Sequence, residues 1–420
     1  MHSRMRWFAC ALLLSACGIA AMSLTRGQEP SSPQSPPAQS AAKVEPPARD
    51  LSKLTPLQQQ MLLSAQRGGD WLRRANRSDG RFVCGYVPAL KTALEGDYYL
   101  QQVGAALALA RVGLFLGEER YAAVARQAIL TLLLDTATDT SDPQSRHTML
   151  PSVVINRVGA AGLLVAAIHE LPSPGDDLLE QSEQLCAFLR KQQKADGSLS
   201  LSEGSAEEVD ANAVNLYPGM ALFGLIRSQQ YRPASWKIDL VRKALPYYRA
   251  WWKSHQEMSF VPWQTAACVE AYCATQEKVF ADFAAEMNDW LCELQYTQLD
   301  PRHPLWSGGF MEWADGKPNS VAPHADSAAY AESLAEACRL AHRAGDTKRV
   351  QRYRETLERS LQFLNTLQYT EANTQHFAGW YRPAIVGAFY VSHQNGDIRI
   401  DHTQHAVCAL VGYLRYSGEW

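Results

Sequence analysis

The sequence has no excess of positive charge and no long basic run. Its 420 residues carry 40 Lys and Arg against 43 Asp and Glu, a formal net charge of -3. A nucleic-acid-binding face needs clustered Lys and Arg, so we expect no nucleic-acid partner. The chain also lacks a Cys-x-x-Cys pair among its 9 cysteines. Most of them lie in apolar helical stretches and are expected to be small buried residues, with one disulfide as the open alternative.

Alternating strand patterns are scarce as well. From Leu51 onward, apolar residues recur at helical spacing almost throughout. The pattern predicts an all-α fold of about twelve helices in residues 51–420. They lie near 54–75, 99–116, 119–135, 153–171, 176–194, 213–229, 235–254, 263–275, 277–297, 325–344, 347–368 and 402–416. Short strand-like pieces at 389–391 and 398–400 predict a small hairpin across Asn395-Gly396.

The first 50 residues indicate export rather than folding. Residues 1–24 combine Arg4 and Arg6 with an apolar run from Trp7 to Leu14, as in a signal segment. The run ends in Leu-Ser-Ala-Cys at positions 14–17, which resembles a bacterial lipobox with Cys17 as the lipidated residue. An uncleaved signal anchor and ordinary signal-peptidase cleavage are alternatives. All three place the rest of the protein in the cell envelope, outside the cytoplasmic membrane. Residues 25–50, rich in Pro and Ser, are predicted to be a disordered tether.

A line of sequence appears four times at the ends of predicted helices. It reads aromatic-Leu, three residues, an amide, and then a turn with Gly. The copies start at Trp71, Phe188, Trp290 and Phe363, with turn glycines Gly80, Gly197, Gly308-Gly309 and Gly379. The repeat predicts copies of one helical unit that bury their apolar faces against each other.

The predicted helices are of two kinds. Odd-numbered ones carry charge on one face, whereas even-numbered ones are rich in Ala and Gly and poor in charge, as in Val103–Ala110. Helices that are apolar all round are buried, so the even-numbered set predicts an inner ring. The expected architecture is a single (α/α)6 barrel with two concentric rings. The long links, 76–98, 136–152, 195–212, 298–324 and 369–401, all lead into inner helices and therefore share one rim. We expect the functional site there.

The repeated aromatic-Leu-x3-amide…Gly line resembles the QW-type repeat of the α/α-toroid proteins. That group includes terpene cyclases and prenyltransferase β subunits. Similar six-hairpin barrels occur in carbohydrate-active enzymes, such as N-acylglucosamine 2-epimerases, glucuronyl C5-epimerases, glycosidases and polysaccharide lyases. The resemblance covers roughly residues 54–416 and implies the architecture. No Asp-x-Asp-Asp run, prenyltransferase-type zinc motif or Cys-His-Gly triplet is present, which disfavours the isoprenoid and lanthionine branches.

The polar residues before the last two inner helices form the sharpest candidate site. His324 and Asp326 precede one helix, and Asp401, His402 and His405 open the other. Neighbouring helices in the ring would bring these groups together. A His–Asp pair exchanges protons near neutral pH, so these five are the candidate catalytic residues. A divalent metal site is a weaker alternative, and no cofactor is expected. Helix capping by Asp326 and Asp401 is the structural alternative.

Further polar and aromatic residues of the same rim are candidate substrate-binding groups. They are Tyr98, Tyr99, Asn156, Arg157, Asp210, Asn215, Tyr217, Trp263, Gln264 and Arg399. Flat rings suit sugar faces, and Arg157 or Arg399 suits a carboxylate. Asp210 and the aromatic rings have capping or packing roles as alternatives, and the arginines have structural ion pairing. The sequence predicts a carbohydrate-directed hydrolase, lyase or epimerase acting on a sugar or uronic acid. The alternative is a non-catalytic envelope lipoprotein that binds a glycan or a protein.

Overall fold

The computed structural model describes residues 53–151, 155–201 and 210–417. The predicted signal segment, Cys17 and the predicted tether lie outside the described residues. Within these ranges the seven cysteines are free, and all except Cys273 are buried, as expected for small apolar residues.

Long helices make up most of the described chain. They are α1 (Pro56–Ala75), α2 (Tyr99–Leu116), α3 (Glu119–Leu133), α4 (Arg157–Glu170), α5 (Asp176–Lys191), α6 (Ala211–Ser228), α7 (Ser235–Ser254), α8 (Val261–Thr275), α9 (Lys278–Glu293), α10 (Ser327–Arg343), α11 (Thr347–Thr366) and α13 (Ile400–Tyr416), with a short α12 (Arg382–Ile385). Each predicted helix is present, with ends that differ by a few residues.

The helices form a closed double ring. The inner helices pack in the cyclic order α2, α4, α6, α8, α10, α13 and back to α2, and α1, α3, α5, α7, α9 and α11 lie outside them. This is the predicted all-α (α/α)6 toroid. Helix α2 is long and apolar enough to cross a membrane by composition, but most of it is buried in the inner ring.

Small residues allow the inner helices to approach closely. A Cβ added at Gly224 of α6 would lie 2.2 Å from the carbonyl oxygen of Gly162 on α4. Only glycine fits at such a distance, because a side chain would push the two helix backbones apart. This explains why the inner ring is rich in Ala and Gly.

The repeated amide joins each turn to the next outer helix. In three copies, the amide Nε2 donates to a turn glycine and to the backbone of the following outer helix. For Gln368 the acceptors are Gly387 O and Ser64 O of α1, both at 3.0 Å. Gln193 bonds Leu240 O of α7 at 2.8 Å, and Gln295 bonds Thr356 O of α11 at 2.8 Å. The repeat therefore holds the outer ring together.

The fourth copy of the repeat closes at a different glycine from the predicted one. Its turn is Gly387 with Phe389, because Gln368 forms its bridge with Phe389 and Gly387 has a φ of 100°. Gly379 has no neighbour within 4 Å of an added Cβ, and Trp380 is 75% exposed. The prediction of Gly379-Trp380 was wrong because the bridging turn lies eight residues further along the chain.

In the part of the chain that the structure describes, four short hairpins lie in the long links, whereas the sequence predicts one hairpin. They are β1–β2 (Gly85–Val87, Thr92–Ala93), β3–β4 (Thr136–Asp139, Asp142–Thr148), β5–β6 (Glu312–Ala314, Lys317–Asn319) and β7–β8 (Tyr390–Ser392, Asn395–Arg399). The last is the predicted hairpin, but its turn lies between Ser392 and Asn395 rather than across Asn395-Gly396. Strands of two to seven residues give too little alternation to be read from the sequence.

Candidate active site

The long links meet at the rim formed by the N-termini of the inner helices. Strand β1 pairs with β8, so one sheet of order β2-β1-β8-β7 joins the link before α2 to the link before α13. The backbone N–H of Ala325, just before α10, donates to Val391 O of β7 at 2.9 Å. These bonds bring the starts of α2, α10 and α13 together, as the site prediction required.

Asp326 links the beginnings of α10 and α13. Its Oδ1 lies 3.1 Å from His402 Nε2, and its Oδ2 lies 3.3 Å from His324 Nδ1. Burial raises the pKa of this carboxyl, but the bond to His402 and the charges of both histidines outweigh it and lower the pKa to about 2. Asp326 is therefore ionised at neutral pH and oriented toward the two rings.

His405 lies one turn further along α13 and has a different partner. Its Nδ1 is 2.8 Å from Oε2 of Glu332 on α10, whose other oxygen accepts a bond from Arg111 of α2. Burial lowers the pKa of His405, but the bond to Glu332 and the charge of Glu332 outweigh it, so the pKa is raised. For Glu332, burial raises the pKa, but Arg111 and His405 lower it overall.

The His405 ring lies beside an aromatic wall. The ring centroids of His405 and Trp263 are 6.0 Å apart. Phe223 packs against Trp263, with 6.1 Å between their ring centroids. His405 is partly exposed, whereas Trp263 is buried. Among the described residues, the hydrogen bonds of His405 all involve Nδ1. With Nδ1 held by Glu332, Nε2 is the nitrogen that remains for a substrate.

Asp401 is bound by Arg399 and Gln101 rather than by a histidine. Arg399 donates to both of its oxygens, at 3.1 and 2.6 Å, and Gln101 of α2 donates to Oδ2 at 3.1 Å. The five predicted catalytic residues thus divide into a pair of His–carboxylate clusters and an Arg-bound carboxylate. Neither Asp326 nor Asp401 makes a capping bond in its helix, so the capping alternative does not describe them.

Two predicted substrate-binding residues are helix caps. The Asn156 Oδ1 accepts from the backbone N–H of Val158 and Gly159 at the start of α4, and its Nδ2 donates to Leu201 O. Asp210 accepts from Asn212 N at 2.9 Å at the start of α6. Both side chains therefore stabilise helix ends, as the capping alternative for Asp210 anticipated.

Tyr99 is the clearest departure from the predicted set of substrate-binding residues. It is 4% exposed, and its hydroxyl donates to Leu132 O at 2.7 Å, so it belongs to the core between α2 and α3 rather than to a ligand-facing surface. Tyr98 beside it is 58% exposed. Side-chain direction reverses between these neighbours as the chain enters the helix.

The remaining predicted binding residues differ in burial and in their partners. Asn215 is buried and accepts from Trp251 Nε1 at 3.4 Å. Tyr217 is half-buried, and Arg157 is partly buried in the first turn of α4. Gln264 is buried, and its Nε2 has no hydrogen-bond partner among the described residues. An amide left with an unpaired donor at this rim suits a hydroxyl-rich ligand.

Sequence analysis missed a ring of buried charges below the rim. It contains residues of all six inner helices, three of them from α10, and positive and negative side chains pair with each other: Arg111, Glu170, Arg227, Glu270, Arg339 and Arg415 with Glu332 and Glu336. The signal was the presence of ionised residues within inner helices that are otherwise apolar. These four arginines and four glutamates form one network of ion pairs among the inner helices.

Glu257 was also missed. It precedes the 3-10 turn that leads into α8 and is partly buried. Burial raises its pKa, the backbone N–H of Met258 opposes the shift, and the charge of Glu312 adds to it. The Glu257 carboxyl is therefore protonated more readily than an ordinary Glu side chain.

The described residues contain no group of three or more His, Cys, Asp or Glu side chains that could hold a metal ion. His402 and His405 each bind a separate carboxylate, Asp326 and Glu332, which is not the converging ligand set that the metal alternative needs.

Comparison with known proteins supports the architecture. Neither a scan against models of protein families nor a search of curated proteins finds a match. Among solved structures, an unsaturated glucuronyl hydrolase specific for heparin has a TM-score of 0.61 and 14% identity over 86% of this chain and 98% of its own. A D-mannose isomerase has a TM-score of 0.60 and 10% identity over 86% and 99%. An α-1,6-mannanase from Salegentibacter sp. HEL1_6 has a TM-score of 0.56 and 10% identity over 84% and 98%.

These similarities define the class of fold. The protein is an α/α toroid of the kind found in these carbohydrate-active enzymes. At such identities the shared property is the fold, and the reaction has to be argued from the site.

Proposed function

We propose that this protein is a carbohydrate-directed enzyme, a hydrolase, lyase or epimerase that acts on a sugar or uronic acid. The observation that carries the proposal is the pair of His–carboxylate contacts, Asp326–His402 and Glu332–His405, between α10 and α13 at the rim. Both are acid/base pairs on rigid neighbouring helices.

His405 is the proposed proton-transfer residue. Glu332 holds Nδ1–H, so Nε2 takes a proton from a substrate carbon or hydroxyl, or gives one to it. The bond to Arg111 fixes Glu332 in turn. Trp263, 6.0 Å from the imidazole between ring centroids, packs beside the His405 ring and helps to fix its orientation.

The substrate class rests on two supports. The similar structures are a hydrolase specific for heparin, an isomerase of D-mannose and an α-1,6-mannanase, all of which act on sugars. The rim of this chain also carries Arg399 and Arg157, which suit a uronate carboxylate. Because Arg399 already binds Asp401 through two bonds, a uronate would have to compete with that carboxylate.

The test is a turnover assay with sugars of each class. Unsaturated glucuronyl disaccharides from heparin, α-1,6-manno-oligosaccharides and D-mannose are incubated with residues 51–420 and followed by NMR. His405→Ala is expected to lower turnover roughly 100- to 10,000-fold, the usual contribution of a general acid or base. His303→Ala, an exposed histidine in the link before α10, is the matched control. Full turnover by a stably folded His405→Ala protein would contradict the assignment.

A binding module is the second candidate, and one observation favours it. Asp326 and Glu332 pair with histidines, Asp401 pairs with Arg399, and the pKa values of Asp326 and Glu332 are lowered. Neither Asp326 nor Glu332 is set up as a proton-donating carboxyl at neutral pH. Ligand-dependent thermal stabilisation without turnover, across the same panel, would support this candidate over the enzyme.

We further propose that the barrel lies in the cell envelope on a lipid anchor at Cys17, with residues 25–50 as the tether. The Leu-Ser-Ala-Cys motif after an apolar run supports this proposal. Cys17→Ala in the full chain is expected to move the protein from the membrane fraction to the soluble fraction of the envelope. Retention of the variant in the membrane would favour an uncleaved signal anchor.

A further inference from the structure

An exposed apolar patch flanks the rim beside the four-stranded sheet. Trp380 is 75% exposed and Leu90 is 70% exposed, and the Nζ of Lys91 lies 5.7 Å from the centroid of the Trp380 ring. We call these three residues the Trp380 patch. Large apolar side chains that cluster on a surface mark interaction sites more often than isolated ones do. The patch is separate from the residues of the candidate active site.

Aromatic contacts connect the Trp380 patch to the rim. The Trp380 ring lies 5.8 Å from Tyr381 between centroids, and Tyr381 meets Tyr86 edge-on at 6.5 Å. Tyr381 is buried, but Leu90 and Lys91 form the turn between β1 and β2, and Gly85 of β1 pairs with Arg399 of β8. The Lys91 side of the patch and the Arg399–Asp401 pair therefore belong to the same four-stranded sheet.

We propose that the Trp380 patch binds the extension of a glycan chain whose terminal sugars occupy the candidate active site. This inference rests on the proposed function. An indole ring offers a flat face to the apolar C–H face of a sugar, and Lys91 beside it donates hydrogen bonds to hydroxyl or carboxylate oxygens. The sheet between the Trp380 patch and Arg399 would then lie along an oligosaccharide rather than a single sugar.

The local charge favours a glycan over a membrane surface. Trp, Leu and Lys together also suit a lipid interface. However, Glu95 and Asp97, both exposed, follow β2 on the same link as Leu90 and Lys91. Carboxylates at this position oppose approach to anionic lipid headgroups, whereas they do not oppose a neutral glycan. The test must therefore distinguish glycan binding from membrane binding.

The test measures the affinity of residues 51–420 for soluble polysaccharides. Native gels containing α-mannan, a neutral polysaccharide, report retardation of the wild type, Trp380→Ala and Leu299→Ala. Leu299 is also 70% exposed but lies in the link before α10, so it is the matched control. Loss of one stacked aromatic ring is expected to weaken binding roughly tenfold. Leu299→Ala should bind like the wild type, and Trp380→Ala should keep full turnover of small sugars.

Several results would overturn the inference. The inference fails if Trp380→Ala binds α-mannan with wild-type affinity, or if α-mannan does not retard the wild type. If Trp380→Ala loses binding to phosphatidylglycerol vesicles but not to polysaccharide, the patch is a membrane contact. The proposed function fails separately. If the protein binds polysaccharide through Trp380 but turns over no sugar, the Trp380 patch is supported as a binding site and the proposed enzymatic function is not. If it turns over sugars but binds no polysaccharide, the enzymatic function is supported and the binding patch is not.

Discussion

Replacement of Glu170 by Gln tests whether the buried ring of charges stabilises the barrel. Glu170 is 2% exposed at the end of α4, and its carboxylate lies 3.0 Å from Arg227, 3.3 Å from Arg415 and 3.8 Å from Arg111. Glutamine keeps the shape but removes the negative charge. Arg227 and Arg111 retain other carboxylate partners, Glu270 and Glu332, whereas Arg415 loses the carboxylate to which it is paired.

The magnitude follows from the pKa of Glu170. Burial raises the pKa, but Arg227, Arg111 and Arg415 outweigh it and lower the value from 4.5 to about 2. A depression of this size corresponds to about 3 kcal/mol of stability, at 1.36 kcal/mol for each pKa unit. Removal of one partner from a buried ion pair typically costs about 3–5 kcal/mol, which agrees. We expect Glu170→Gln to lower the free energy of unfolding by about 3 kcal/mol at pH 7.

The pH dependence gives the prediction a second readout. Because the folded pKa is depressed, this stabilisation is present above the unfolded pKa of 4.5 and is lost as the pH falls toward the folded value of about 2. The difference between wild type and variant should therefore shrink to about 1 kcal/mol at pH 3.

Urea unfolding followed by circular dichroism, at both pH values, measures the effect of Glu170→Gln. The control is Asp282→Asn, which breaks the exposed Lys278–Asp282 pair of α9 and should cost less than about 0.5 kcal/mol. A Glu170→Gln protein as stable as this control at pH 7 would refute the reasoning, because the ring would then contribute nothing beyond a surface ion pair.

Three further predictions follow from the repeat, the site and the core. Gly387→Ala should destabilise the protein by about 3 kcal/mol or more, because φ is 100° and the new Cβ would lie 2.2 Å from Arg67 O, while Gly379→Ala, in open space, should be nearly neutral in the same melts. The pKa of His405, measured by NMR titration, should be above the usual histidine value. Its contribution to stability is therefore complete below that usual value and disappears as the pH rises through the folded pKa. A measured pKa below the usual value would contradict the bond to Glu332. Tyr99→Phe should cost about 1 kcal/mol of stability through its lost bond to Leu132 O and leave sugar turnover unchanged, whereas a change in KM would return Tyr99 to the binding site.

The helical pattern determined the architecture before any tertiary contact was considered. Apolar spacing located the twelve long helices, and the contrast between charged and Ala/Gly-rich helices assigned them to two rings. Periodicity carries this information because burial of one face or of all faces constrains every turn of a helix. The rim was predictable too, because the longest links all enter inner helices.

Within the site, the sequence identified residue types better than partners. The repeat predicts that α10 and α13 are adjacent in the inner ring. That adjacency predicts that Asp326 lies near His402. The Glu332–His405 pair depends on how far one helix is shifted along the other, which side-chain packing decides. The direction of Tyr99 into the core was equally hidden, since Tyr98 and Tyr99 are alike in sequence.

The sequence by itself determined that this chain forms a closed double ring of helices with one elaborated rim, because hydrophobic periodicity and link lengths are local properties. Only the tertiary structure decided that charged residues from all the inner helices meet in one network of ion pairs and that Gly387 closes the fourth repeat. Those features depend on distances between residues far apart in the chain, and such distances exist only once the ring has closed.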